Sequence, residues 1–459
     1  MSKIHGGVTP DFAFGKVQKM GVSLMKNGQS FLKFNYLIFA FISCMVLVGC
    51  SSSKEEDSNS DNDDKTTITF WHPMDTETSD AMESVIDLFE EKNPDIKVDA
   101  TYIANSGEGQ NEKLLTAIAG GNPPDVAYFD RFEVASWAAQ GSLEDLTELA
   151  EKDGVTKDMY YPYTWEEAVY EEKLYALPTT TDARLVFYNK DQFEEVDLDP
   201  DNPPTSIEEL AEAAEKLTIK DGKKFERIGF IPWYGQGWFY GWGWSFGGEF
   251  YDPETETVTA DDPKNIEALE WITDYAKKYN VEEIAGFTDS HGEAAMDPFL
   301  TGQISMKVDG NFGVSNIEKY KPDMNYGVFP IPTPSGSDHT TWSGGWSIVM
   351  PKGAKEKEAS WEFIKFFGSE EGQKIFSEIS RDFSAIESVN LDLGYDEDPI
   401  FSEFVDILPD SNSRPVMTQG SLYWNELADA VENATRSIGT PEENLQEVTE
   451  KVTDALEKE

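Results

Sequence analysis

The residues best able to do chemistry in this chain are rings rather than nucleophiles. Residues 233–246 read Trp-Tyr-Gly-Gln-Gly-Trp-Phe-Tyr-Gly-Trp-Gly-Trp-Ser-Phe and hold four of the chain's 12 Trp. Five positions between the rings are Gly or Ser, which leaves the rings uncrowded by their own neighbours. A ring with a free face can lie against the apolar C–H face of a sugar, whose hydroxyl rim then needs a few placed polar groups. The competing reading is a buried aromatic core segment. Asp and Asn accept from or donate to adjacent hydroxyls, and Arg offers a fixed planar fork. Such residues near these rings are therefore the second half of the search.

Composition narrows the partners. The chain has 459 residues, 39% of them apolar, which is two to three domains' worth of core. Its net charge is −50. Residues 1–50 carry a net +4, which leaves −54 on residues 51–459. Such a surface repels nucleic acid and anionic lipid, and disfavours a large anionic ligand unless a local Arg cluster intervenes. It also suits high salt, where repulsion between carboxylates is screened. Cys44 and Cys50 are the only cysteines and His is found four times, so no thiolate or histidine metal centre and no cofactor is expected.

The elements that would position the site alternate. Residues 67–71 read as a strand, 80–91 as a helix, 96–98 as a strand, 111–119 as a helix and 122–129 as a strand. This is the βαβ pattern of a parallel sheet, in which ligands bind beyond the carboxyl ends of the strands. His72, Asp75, Asp130 and Arg131 fall at those ends. Further on, Pro178 and residues 179–184 open into a strand at 185–190, as an interdomain crossing would. Ser206 caps a helix over 207–217. Helices are expected at 263–279, 296–301, 356–367, 369–379, 422–436 and 441–457. Strands are expected at 303–308 and 326–329, and a second crossing at the Gly-rich 343–350. Trp71, Trp137, Trp165, Trp271 and Trp361 are assigned to the core.

The N-terminus reads as an export signal. Lys26 and Lys33 precede an apolar run over 36–48, too short and wrongly flanked for a membrane span. Translation from Met1 or from Met25 fits equally well. The run ends Leu47-Val48-Gly49-Cys50, similar to a bacterial lipobox, so Cys50 is expected to carry lipid after removal of residues 1–49. The acidic stretch through Lys65 should be an unstructured tether about 20 Å long on average.

Together, residues 69–72, 124–131, 185–190, 302–312, 325–328, 344–352, 359–376 and 414–424 resemble the extracellular solute-binding lipoproteins of bacterial sugar ABC importers, with a layout similar to maltose-binding protein. The resemblance covers almost the whole chain after residue 65. It implies a two-lobed α/β, periplasmic-binding-protein-like fold of type II with the ligand in the cleft between lobes. Carried over, lobe one is 66–182 plus 346–388 and lobe two is 183–345 plus 389–459. Asp130 and Arg131 match charged positions that hold sugar hydroxyls, and Asp182 matches an acid at the first crossing. Phe312 stands where the family often has a stacking Trp, and Trp424 matches another stacking aromatic.

The expected site is then Trp238, Trp242 and Trp244 as platforms, with Trp346 beside Gly345 and Trp424 on the opposite side. Asp130, Asp182, Asp309 and Asn311 would hold hydroxyls, and Arg184 and Arg381 would donate. His72 is either a ligand contact or a satisfied strand-end histidine. The expected partners are a carbohydrate, the membrane permease subunits of an ABC importer and the membrane itself through Cys50. The protein would work as a monomer on the extracytoplasmic face of the cell membrane, with no chemistry required. Two alternatives stand beside this: a glycerol-phosphate binder, which needs basic residues in the cleft, and a secreted glycoside hydrolase, which needs a pair of carboxyl groups about 5–10 Å apart.

Overall fold

A computed structural model describes residues 65–74, 76–104, 109–288 and 297–458. All of the folded part belongs to one compact unit, Asp63–Glu459.

The first sheet has five strands in the order Ile96–Tyr102, Thr66–His72, Val126–Asp130, Trp346–Val349, Ala176–Pro178. The first three run parallel, and Trp346–Val349 runs antiparallel to both of its neighbours. Thr66–His72 buries alternate residues, Ile68, Phe70 and His72, against the helices Thr76–Lys92 and Lys357–Phe367. Val126–Asp130 is covered on both faces, so its sequence is a continuous apolar run rather than an alternation. Asp125 pins this strand in register, accepting from the Thr69 N–H at 2.9 Å and from its hydroxyl at 2.8 Å. The core on this sheet runs from Ile68 to Leu177 and resumes from Ile348 to Phe376.

The second sheet is antiparallel, in the order Met306–Gly310, Arg184–Asn189, Tyr326–Phe329. One core here joins Val186 and Met306 to the helices Ile207–Leu217, Pro263–Tyr279, Gly420–Thr435 and Pro441–Leu456. Another, around Phe187, gathers Phe299, Phe383 and Phe404. The Ser206 hydroxyl and Glu209 carboxylate close a reciprocal capping box at the start of Ile207–Leu217, as the sequence predicts. Residues 298–301, part of the helix expected over 296–301, form turns instead. There the Pro298 carbonyl accepts from the N–H groups of Gln303 and Ile304, which directs the chain into the next strand.

Three segments carry the chain from one sheet's core to the other's, while Tyr161 and Tyr163 also reach into the core around Phe187. The segments are 178–182, 343–345 and 377–382. A short ladder ties the first to the end of the third, Thr180–Thr181 pairing with Phe383–Ser384, and Thr341–Trp342, at the start of the second, pairs with Ser411–Asn412. Gly345 adopts a φ of 136°, and a side chain there would overlap the Thr180 carbonyl, so only Gly lets these crossings approach so closely.

The aromatic stretch folds in a way its spacing did not suggest. Phe239–Ser245 is a short helix whose glycines seat rings from other segments. A Cβ on Gly243 would overlap the Phe250 ring, and one on Gly241 would press on Trp342 at 3.1 Å. The small residues therefore make room for core packing as much as for a ligand.

Candidate functional site

The first sheet ends on a rim. His72 closes one parallel strand and Asp130 the next, and Trp346 is the cross-strand partner of Asp130. Trp346 lies flat on Tyr128, with ring centroids 5.5 Å apart and an interplanar angle of 10°. Asp130 caps the short turn after its strand, accepting from the Phe132 N–H at 3.0 Å. Its carboxylate also accepts from Arg414 Nη2 at 3.2 Å. His72 is buried, 5.5 Å from Phe70 and 6.3 Å from Tyr102 by ring centroids. Burial holds its imidazole below the usual histidine value, although a hydrogen bond with the Met74 backbone pulls the other way, so the neutral ring is favoured. Asp75 lies outside the described residues.

On the other half, Trp238 and Trp424 form a tilted pair 4.6 Å apart. Trp238 is 38% exposed, one of the few large apolar side chains left open to water. Trp424 continues onto Tyr240 at 5.9 Å and Trp342 at 5.9 Å, and Tyr240 stacks on Trp244 at 5.3 Å. Arg414 is wedged into this row, 4.0 Å above the Phe132 ring and 5.5 Å from the Trp424 ring. Arg184 covers Trp342 at 3.6 Å and reaches Phe312, itself 37% exposed, at 5.9 Å. The result is a belt of rings and guanidinium planes running from Trp238 to Phe312, touched by Asp130 and Phe132 from the first half. Below it, Tyr163, Trp165, Trp244, Tyr251 and Arg414 line a hollow of about 640 Å³ bounded by both halves.

Several expected contacts are committed elsewhere. Trp242 is 1% exposed, donates to the Pro232 carbonyl at 2.9 Å and packs on Trp271, so it has no free face. Arg131 is fully buried, 3.1 Å from Glu167, and donates to Ser343 Oγ at 3.0 Å. Burial pushes the Glu167 carboxyl up to about 6, although the Arg131 charge pulls against it. Asp182 pairs with Arg184 and accepts from the Gly344 N–H. Asp309 is 2.6 Å from Lys307, which also meets Asp297 at 2.8 Å. Asn311, by contrast, is buried just after the strand Met306–Gly310 and is not committed, with no partner for its amide among the described residues. Arg381 sits in a left-handed conformation, φ 61°, which turns its guanidinium over Phe401 at 4.7 Å and toward Glu318 at 3.6 Å.

Sequence reasoning missed Arg414, Phe132 and Trp342, and placed Trp165 in the core. Arg414 lies inside a stretch already matched to the family, so its position was available. Its pairing with Asp130, 284 residues away, was not. Among the described residues no group of three or more His, Cys, Asp or Glu could hold a metal ion, and no helix is long and apolar enough to cross a membrane. Cys50 lies outside the described residues.

Two α/β halves joined by three crossings, with a ring-lined hollow between them, define a two-lobed binding protein of the periplasmic type II fold. Residues 75–374 match the bacterial extracellular solute-binding protein family, and the chain belongs to it. The fold is similar to the solved structure of CpMnBP1 with mannotriose bound, at 26% identity and a TM-score of 0.74, covering 84% of this chain and 100% of that one. A maltotriose-binding protein of Pyrococcus abyssi is 24% identical over 76% of this chain and 70% of its own length. The sn-glycerol-3-phosphate-binding periplasmic protein of Escherichia coli is also 24% identical, over 66% of this chain and 69% of its own.

Proposed function

We propose that this protein captures a neutral di- or oligosaccharide between its lobes and presents it to the permease subunits of an ABC importer. The observation that carries this reading is the charge balance around the exposed rings. Arg131 faces Glu167, Arg184 faces Asp182, Lys307 faces Asp297 and Asp309, and Arg414 faces Asp130. Each cation is already neutralised, so a phosphate entering the cleft would have to displace a carboxylate. A neutral sugar needs only to share these hydrogen bonds and lie on Trp238, Trp424, Trp346 or Phe312. The glycerol-phosphate reading is disfavoured on that ground. Relatives that bind mannotriose and maltotriose support the carbohydrate.

In this reading residues 66–182 and 346–388 move as one body against 183–345 and 389–459. Ligand bridging both bodies favours their closed arrangement, and the closed shape docks on the permease. No covalent step is involved. Lipid on Cys50, after removal of residues 1–49, would tether the protein as a monomer to the outer face of the membrane. Titration of tryptophan fluorescence with manno- and malto-oligosaccharides should give a saturable change, and sn-glycerol 3-phosphate should give none. The opposite pattern overturns the proposal. Release of reducing ends from those oligosaccharides would make the protein an enzyme instead. Incorporation of labelled palmitate into the wild type and not into Cys50→Ala tests the anchor.

A further inference from the structure

One buried side chain beside the ring belt has nothing to bond to. The strand Met306–Gly310 runs into Asn311 and then into Phe312, which opens the helix Phe312–Tyr320. Gly310 is the cross-strand partner of Arg184. A Cβ on Gly310 would overlap the Phe312 ring, so only Gly lets that ring fold back over the strand end. The ring is still 37% exposed and lies 5.9 Å from the Arg184 guanidinium. Asn311 sits between these two positions and is 1% exposed. Neither its amide nitrogen nor its amide oxygen has a partner among the described residues. Arg184 Nε, buried beside the same ring, has none either.

The local backbone explains why the amide is free. Asn311 holds the N-cap position of its helix, where an Asn side chain ordinarily accepts from an N–H of the first turn. Its φ of −55° and ψ of −29° are already helical, unlike the extended backbone of a capping residue, and it makes no such bond. A Cβ on Gly313 would meet Asp309 Oδ2 at 2.8 Å, so a carboxylate already lies against that first turn. A buried amide without partners is costly, and a folded protein keeps one where a partner comes from outside the chain.

The surroundings define that partner. The charges here are matched: Asp309 meets Lys307 at 2.6 Å, and Arg184 meets Asp182. The missing group is therefore neutral. A primary amide donates through its nitrogen and accepts through its oxygen. Its neutral complement places an acceptor and a donor side by side, as two adjacent hydroxyls do. Phe312 supplies the apolar face that the C–H side of a sugar needs. Consecutive Cα atoms are about 3.8 Å apart, so a single sugar ring can meet both residues.

We propose that Asn311 sets the specificity of the sugar site: its amide pairs with two adjacent hydroxyls of the ring that lies on Phe312, and Arg184 Nε is a further donor at that edge. This rests on the reading of the protein as a sugar binder. It also separates binding from folding. An amide that is unpaired in the empty protein and paired in the complex can be lost without harm to the fold, but not without harm to affinity.

The test compares the wild type with Asn311→Leu, which keeps the volume and removes both polar atoms. Calorimetric titration with mannotriose and with maltotriose is set beside thermal unfolding of the ligand-free proteins. The variant should melt at or above the wild-type temperature. Its affinity for the tighter-binding sugar should fall about tenfold or more, the effect of losing one buried hydrogen bond, and the preference between the two sugars should narrow. Unchanged affinity overturns the proposal; if the melting temperature falls as well, an ordered water serves the amide instead. A wild type that does not distinguish the two sugars, or a variant with the same preference, overturns the specificity role. A wild type that binds neither sugar removes the functional reading, and this proposal with it. Asn311→Ala, which removes the amide and adds no bulk, decides the matter if Asn311→Leu does not fold.

Discussion

Arg414 Nη2 lies 3.2 Å from Asp130 Oδ1, with the guanidinium stacked 4.0 Å above Phe132. Two features of the first half's rim thus converge on one side chain from the segment leading into Gly420–Thr435. Ser421 reinforces the junction by donating to Glu133 at 3.0 Å. The carboxylate expected to hold sugar hydroxyls is therefore already engaged across the cleft, and ligand entry has to share or replace that bond.

Arg414→Ala should consequently loosen the junction. The guanidinium is almost buried, and its removal strips a planar group from three rings, so a stability loss of about 1–3 kcal/mol is expected by chemical denaturation. Arg414→Lys keeps the charge but not the plane or the fork, and should recover only part of the loss. Full recovery by Lys would show that stacking is unimportant here.

The two kinds of tryptophan should separate cleanly. Trp238→Ala removes a ring that is 38% exposed, and should lower sugar affinity about tenfold with a stability cost under about 1 kcal/mol. Trp242→Ala empties a fully packed site and should cost about 3–5 kcal/mol. Calorimetric titration beside denaturant unfolding checks both. A Trp242→Ala protein of native stability would contradict the packing described above.

Glu167→Gln leaves the Arg131 guanidinium charged and buried without its carboxylate. Breaking such a pair from one side costs about 3–5 kcal/mol. The expected readout is a large drop in the urea midpoint, and an unchanged midpoint would mean that water reaches Arg131.

His72 makes a pH prediction of its own. Its ring is neutral in the fold because burial lowers its titration, so protonation favours the unfolded chain. Stability should decline as pH falls below the ordinary histidine value, and His72→Phe should remove that component of the decline. Thermal unfolding of both proteins between about pH 5 and 7, the range that brackets an ordinary histidine, measures it.

The acidic surface predicts a salt response. With −54 charges on residues 51–459, raising NaCl from about 0.05 to 1 M shrinks the screening length to about 3 Å and should raise the melting temperature by roughly 2–4 °C or more. No change would remove the idea of adaptation to high salt.

Much of the fold was legible because its signals are local. The helices expected at 207–217, from its Ser206 cap, and at 263–279 are found as Ile207–Leu217 and Pro263–Tyr279, and the strand expected over 122–129 is found as Val126–Asp130. The site was legible only in part. Asp130, Trp238, Trp346, Phe312 and Trp424 keep exposed or half-exposed faces, while Trp242, Arg131, Asp309 and Arg381 are spent on packing or ion pairs. Nothing in a residue's type says which face of a short helix it takes, or which of 87 acids will neutralise it.

The sequence by itself determined the alternation of strands and helices, the acidic surface, and the presence of an aromatic stretch with the composition of a carbohydrate platform. These follow from propensity, periodicity and charge, which act over a few residues or over the whole chain at once. Only the tertiary structure decided that the Gly between the rings admits Phe250 and Trp342, that Arg414 crosses to Asp130, and that Thr180–Thr181 pairs with Phe383–Ser384. Those are contacts between segments distant in sequence, and their energies depend on burial and orientation that no single segment carries.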